Sequence, residues 1–119
     1  MVMQFFKGDV ICTDFQPSKG HEQTKRRYAV VISNDDFNKE CNLQIVCPIS
    51  NGDNGFPLHF NIEDSLLSGH DTRYGKLSGF VQVEQMKSFD LNARDTEYVG
   101  RLSPVMMRKL TSTALSCLY

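Results

Sequence analysis

Between Pro17 and Ser33 the chain reads PSKGHEQTKRRYAVVIS. Ionisable side chains crowd its first half: Lys19, His21, Glu22, Lys25, Arg26 and Arg27. The run from Tyr28 to Ile32 is apolar. An arginine at the junction of a polar loop and a packed strand can have its guanidinium held in place. The neighbouring imidazole and carboxylate of His21 and Glu22 can orient that arginine or titrate against it. An acid, an imidazole and an anchored arginine form a kit suited to phosphoryl chemistry. Taken alone, the stretch also fits a solvated hairpin loop.

Other chemistries find little support. The three histidines, His21, His59 and His70, are far apart, and there is no H-x-x-x-H, C-x-x-C or D-x-D-x-D-G pattern, so no metal site is expected. No G-x-x-x-x-G-K-[ST], G-x-G-x-x-G or G-x-S-x-G occurs, so no nucleotide cofactor or serine nucleophile is expected. The formal net charge of -1 argues against a surface coated in positive charge, while leaving room for a local basic groove. Four cysteines without paired spacing, Cys12, Cys41, Cys47 and Cys117, read as reduced and mostly buried thiols. The N-terminal MVMQFFKGDV lacks the apolar core of a signal peptide, and no run approaches membrane-spanning length. The expected location is the cytoplasm, without membrane association.

The 119 residues suit one domain, 1–119. Strand patterns fall at Asp9–Phe15, Tyr28–Ser33, Leu43–Ile49, Phe56–Ile62 and Gly79–Met86. The Tyr28–Ser33 run, apolar almost throughout, is expected at the centre of a sheet. Lys87–Leu91 and Glu97–Leu102 read as short strands or turns. Asn34–Glu40 reads as a short capped helix. Ser103 and Pro104 mark the start of a C-terminal helix whose apolar stripe runs through Met106, Leu110, Thr113 or Ala114, and Cys117. Short strands joined by glycine-containing loops, with one covering helix, predict a small antiparallel barrel or strongly curved sheet. The loops at 16–27, 50–56 and 64–78 are long enough to carry function.

The segment GDVICTDFQPSKGHEQTKRRYAVVIS resembles the N-terminal part of the MazF/PemK/Kid toxins, the mRNA interferases of bacterial toxin–antitoxin pairs. It carries the G-[DE]-[IV] strand start at Gly8–Val10, the P-S-x-G-x-E-Q run at Pro17–Gln23, and an arginine at 27 ahead of an apolar strand ending in Ser33. Two further segments agree: VCPIS, Val46 to Ser50, and GFVQVEQMKSFDLNAR, Gly79 to Arg94. The three segments occur in order and cover most of the chain. Three departures stand out: Gln16 replaces the usual Asp, Tyr28 the frequent Pro, and Gln82 the catalytic Arg of the PemK/Kid branch.

The resemblance implies a mainly β fold with a C-terminal helix, the SH3-like small barrel of CcdB/MazF-type toxins, acting as a homodimer. It implies a metal-independent, sequence-specific endoribonuclease for single-stranded RNA, requiring no cofactor. The catalytic set carried over is Arg27, Ser50, Glu22 and His21, with Glu84 weighted below them. Lys19, Gln23, Lys25, Arg26 and Phe56 are expected to contact RNA. The expected partner is a MazE/PemI-like antitoxin whose disordered acidic tail folds onto the basic groove. Two competing readings are a CcdB-like gyrase poison and an SH3-like binding module. The absence of Trp and the presence of His21-Glu22-Gln23 with Arg27 count against the former.

Overall fold

The computed structural model describes residues 3–15, 26–50, 59–63, 67–68 and 78–118. Among these residues eight strands and two α-helices follow one another as β1 (Asp9–Asp14), β2 (Arg26–Val31), α1 (Asp35–Glu40), β3 (Gln44–Ser50), β4 (His59–Glu63), β5 (Leu67–Ser68), β6 (Ser78–Gln82), β7 (Lys87–Phe89), β8 (Glu97–Leu102) and α2 (Pro104–Ser116). Single 3-10 turns interrupt the chain at Val83–Gln85 and Leu91–Ala93. The sheet is antiparallel throughout, in the order β4-β6-β3-β2-β1-β8-β5, with β7 pairing the other half of β3. Among the described residues no pairing closes it, so the observed form is a curved open sheet with a C-terminal helix.

The central position of β2 follows from its composition. Ala29, Val30 and Val31 are all fully buried, as a strand covered on both faces requires. Neighbouring residues alternate between two cores. Val10, Cys12, Val30, Cys47, Ile49, Val81 and Val83 face α2 and pack with Met107, Leu110 and Ala114. Ile11, Phe15, Ala29, Val31 and Val46 face the other way and pack with Phe5, Phe89 and Leu91. Arg27 shares its side with Ala29 and Val31, so it lies on the face turned away from α2.

Both helices begin as the sequence predicts. The Asn34 side chain accepts from the Phe37 N–H, and the Ser103 Oγ from the Met106 N–H, each satisfying a donor with no intrahelical partner. The buried face of α2 is Met107, Leu110 and Ala114. Met106 is only partly buried, and Cys117, the C-cap beyond the last turn, is exposed.

The expectation of mostly buried thiols therefore holds for two of the four: Cys12 and Cys47 are buried, Cys41 is intermediate and Cys117 exposed. Burial raises the Cys12 thiol despite the neighbouring Arg26 guanidinium. Burial, with smaller contributions from Cys117 and Glu84, pushes Cys47 up to about 12. At pH 8 a disulfide reagent should leave Cys12 and Cys47 unmodified in the native protein and reach them only in denaturant. Rapid reaction of all four thiols without denaturant would contradict this placement. The folded Cys47 keeps its proton to about 12, whereas the unfolded thiol releases it at its ordinary value. Its contribution to stability is thus complete below that ordinary value and is lost as pH climbs toward 12.

Candidate active site

Arg27 enters the site from the second residue of β2, opposite Thr13 of β1. Two contacts hold it. Its Nη2 donates to Gln82 Oε1 at 3.4 Å. Its guanidinium carbon lies 5.4 Å from the centre of the Phe15 ring, within cation–π range. Phe15 is itself held by an edge-to-face contact with Phe89, centres 5.0 Å apart. On Phe89 rests a second guanidinium, that of Arg94, at 3.9 Å. Arg94 donates to the Asp14 carbonyl at 3.0 Å. Beneath them, Thr13 Oγ1 meets Thr96 Oγ1 at 2.7 Å, and Thr96 Oγ1 donates to the Leu91 carbonyl at 2.6 Å. Arg27 is thus mounted on packed aromatic rings, with a part-buried polar network at its strand partner Thr13. Among the described residues, no carboxylate lies within ion-pair distance of it.

Strand register brings Ser50 to the same face. Ala29 is paired with Pro48. Arg27 lies two residues before Ala29 and Ser50 two after Pro48, so the period of two puts both side chains on the side away from α2. On the other flank of β3, Ser50 pairs with Phe80 of β6. Gln82 therefore shares the same face. Three adjacent strands, β2, β3 and β6, contribute Arg27, Ser50 and Gln82 in turn.

Gly79 permits this approach. Its φ is +140°, and a Cβ added there would come 2.3 Å from the Ser50 carbonyl oxygen. No other residue type could bring β6 this close to Ser50 without a shift of backbone.

A cavity of about 250 Å³ opens at Arg27, lined by Phe15, Arg27, Pro48, Gln82, Gln85 and Lys87. Two of these are cations, two are carboxamides and none is an acid. A site of this composition favours a small anion with several acceptor oxygens.

Glu84 stands elsewhere, for a reason in the backbone. The alternation of Gly79–Met86 predicts one continuous strand, in which Glu84 would lie on the face of Gln82. The strand instead ends at Gln82 and gives way to a 3-10 turn at Val83–Gln85. The turn exchanges the two faces. Gln85 reaches the Arg27 cavity, while Glu84 is exposed and is not among the described residues that line it.

Arg26, adjacent to Arg27, points to the other side of β2. Its Nη1 donates to the Asp95 carbonyl at 2.8 Å and its Nη2 to the Cys12 carbonyl at 3.1 Å. Asp95 and Glu97 carboxylates lie 3.5 and 3.7 Å away. In this position it ties β2 to the β8 side of the sheet. Lys19, His21, Glu22, Gln23, Lys25 and Phe56 lie outside the described residues. The site also contains four residues not singled out from the sequence: Phe15, Pro48, Gln85 and Lys87. The signal for Gln85 and Lys87 was present in the E-Q-x-K spacing at Glu84–Lys87. Phe15 and Pro48 gave none beyond their strand ends.

Comparison with known proteins identifies the family and the fold. A family described as "PemK-like, MazF-like toxin of type II toxin-antitoxin system" matches residues 6–117. The endoribonuclease toxin ChpB of Escherichia coli is 32% identical over 103 residues, covering 82% of this chain and 79% of that protein. The endoribonuclease toxin MazF of the same organism is 31% identical over 97 residues, covering 82% and 78%. Among solved structures, MazF from Deinococcus radiodurans superposes with a TM-score of 0.77 at 25% identity over 98% of both chains. A MazE–MazF structure from that organism reaches a TM-score of 0.80 at 24% identity over 98% of this chain and 97% of that one, a likeness of fold. With the family pattern spanning residues 6–117 and two relatives above 30% identity, the chain belongs to the PemK-like, MazF-like toxin family of type II toxin–antitoxin systems.

Proposed function

We propose that this protein is the toxin of such a pair and an endoribonuclease that cuts single-stranded mRNA at chosen sequences. The reaction is attack by a ribose 2′-OH on the adjacent phosphorus. The new 2′-O–P bond forms as the P–O5′ bond breaks, the 2′ proton leaves to a base, and the 5′ oxygen gains one. The products are a 2′,3′-cyclic phosphate and a 5′-OH. Because the nucleophile belongs to the substrate, the protein must supply in-line geometry, proton transfer and positive charge around the phosphorane. Arg27 provides the charge, its planar fork spanning two phosphate oxygens. Ser50 donates to a non-bridging oxygen. His21 and Glu22, from the same polar stretch that leads into Arg27, supply the base and acid. Lys19, Gln23, Lys25 and Phe56 extend the contact along the strand.

One observation carries the reading: a guanidinium braced by Phe15 and Gln82, with no carboxylate partner among the described residues, at the wall of a cavity to which the described residues contribute no acid. Incubating the purified protein with a mixed-sequence RNA in EDTA, then identifying the end groups, tests it. Discrete fragments with cyclic phosphate and 5′-OH ends are expected. Intact RNA would overturn the reading in favour of a binding module or a gyrase poison.

The working form in this proposal is a cytoplasmic homodimer of SH3-like barrels. The exposed apolar side chains Val105, Leu115 and Leu118 of the C-terminal helix and its end offer surface for such pairing. The restraining partner is an antitoxin of the MazE/PemI kind, consistent with solved MazE–MazF assemblies of similar fold. Lys87, at the cavity mouth, acts as a point charge for the RNA backbone. Lys87→Ala should weaken binding to all sequences alike and reduce the slope of log K against log salt by about 0.7, with kcat nearly unchanged. A sequence-selective loss would contradict that role.

A further inference from the structure

Gln82 stands across β3 from Arg27, and the contact between them is chemically one-sided. Every nitrogen of a guanidinium is a donor, so the atom of Gln82 that meets Nη2 at 3.4 Å is the oxygen Oε1. The amide nitrogen Nε2, with its two N–H groups, is thereby turned away from Arg27. Among the described residues no protein group accepts from it. The side chain reaches over Pro48, which has no N–H of its own and lies between the two residues on the same face. The space it borders is the cavity shared with Arg27 and Lys87, about 250 Å³, and among the described residues that line it there is no carboxylate. A phosphodiester carries two non-bridging oxygens, and an arginine fork and an amide side by side supply donors to both.

We infer that Gln82 is a two-ended positioning and substrate-binding residue: Oε1 clamps Arg27, and Nε2 donates to a non-bridging oxygen of the phosphate that Arg27 holds. This rests on the RNA-cleaving reading above for the identity of the phosphate. A neutral amide here keeps Arg27 oriented without cancelling its charge, as a carboxylate would, and without repelling it, as a second guanidinium would.

The two ends separate by substitution. Gln82→Leu removes both; Gln82→Glu keeps an acceptor for Arg27 and removes the donor. With a mixed-sequence RNA oligonucleotide, Gln82→Leu should lower kcat/KM by about 10- to 100-fold, mostly in kcat. Gln82→Glu should lose at least as much, and bind the all-2′-deoxy version of the same oligonucleotide more weakly than the parent. In an Arg27→Lys background the effect of Gln82→Leu should shrink below about threefold, because a residue acting through Arg27 is not additive with it. Parental activity in either variant would overturn the inference, and so would an undiminished effect in the Arg27→Lys background. If the parent protein leaves RNA intact, the endoribonuclease reading fails by itself. The deoxy-oligonucleotide then still decides: weaker binding by both variants supports a phosphate site at Gln82, and unchanged binding overturns it.

Discussion

Arg27→Ala should lower single-turnover RNA cleavage by at least about 10²–10³-fold while leaving the fold intact. The expectation follows from what the side chain touches. It rests on Phe15 and bonds Gln82, and among the described residues it satisfies no buried carboxylate. Its removal orphans no charge among the described residues, so thermal unfolding should move by an amount equivalent to about 1 kcal/mol or less. In the proposed reaction the charge lost faces the developing phosphorane, where preorganised donors contribute most. Arg27→Lys should recover only part of the activity, because one ammonium cannot span two phosphate oxygens in the geometry of the fork. Ser50→Ala should cost less than Arg27→Ala, since it removes one neutral donor. Arg26→Ala should show the reverse pattern, a lower melting point with near-parental chemistry, because its donors go to the Asp95 and Cys12 carbonyls. Cleavage at the parental rate by a folded Arg27→Ala protein would end the assignment.

The contrast between these two arginines shows what the sequence discloses. The apolar run after Arg27 marks β2 as a central strand, and a central strand is rigid enough to aim a side chain. Ser103 and Pro104 announce α2, because helix caps act through adjacent residues. Which of Arg26 and Arg27 lines the candidate cavity depends on register with β1 and β3, a long-range property that local pattern does not contain. The same holds for Glu84. Alternation of polar and apolar residues fits both a continuous strand and the observed strand followed by a 3-10 turn, because Val81 and Val83 fall in the same core either way. Only the packed structure shows that the turn sends Gln85, and not Glu84, to Arg27. Strand β5, two residues within what reads as a loop, is too short for any periodicity and exists through its pairing with β8.

Gly79→Ala should damage the site as thoroughly as the loss of Arg27, by a different route. At φ +140° an alanine is strained wherever it is placed, at about 1–3 kcal/mol. Here the added methyl would also sit 2.3 Å from the Ser50 carbonyl oxygen and 3.0 Å from its carbon. Both are backbone atoms, so no rotamer change relieves the contact. Strand β6 must then part from β3 at the Ser50–Phe80 pair. That movement would shift Ser50 and withdraw Gln82 from Arg27. Strain and broken pairing together should exceed about 3 kcal/mol, lowering the melting midpoint by roughly 10 °C or more in a domain of this size. Urea unfolding and RNA cleavage on the same preparation distinguish this from a chemical defect: stability and rate should fall together, whereas in Arg27→Ala only the rate falls. A Gly79→Ala protein with parental stability would mean that β6 does not approach Ser50 this closely, and the face shared by Arg27, Ser50 and Gln82 would lose its structural basis. A residue without a side chain thus sets the spacing on which those three side chains depend.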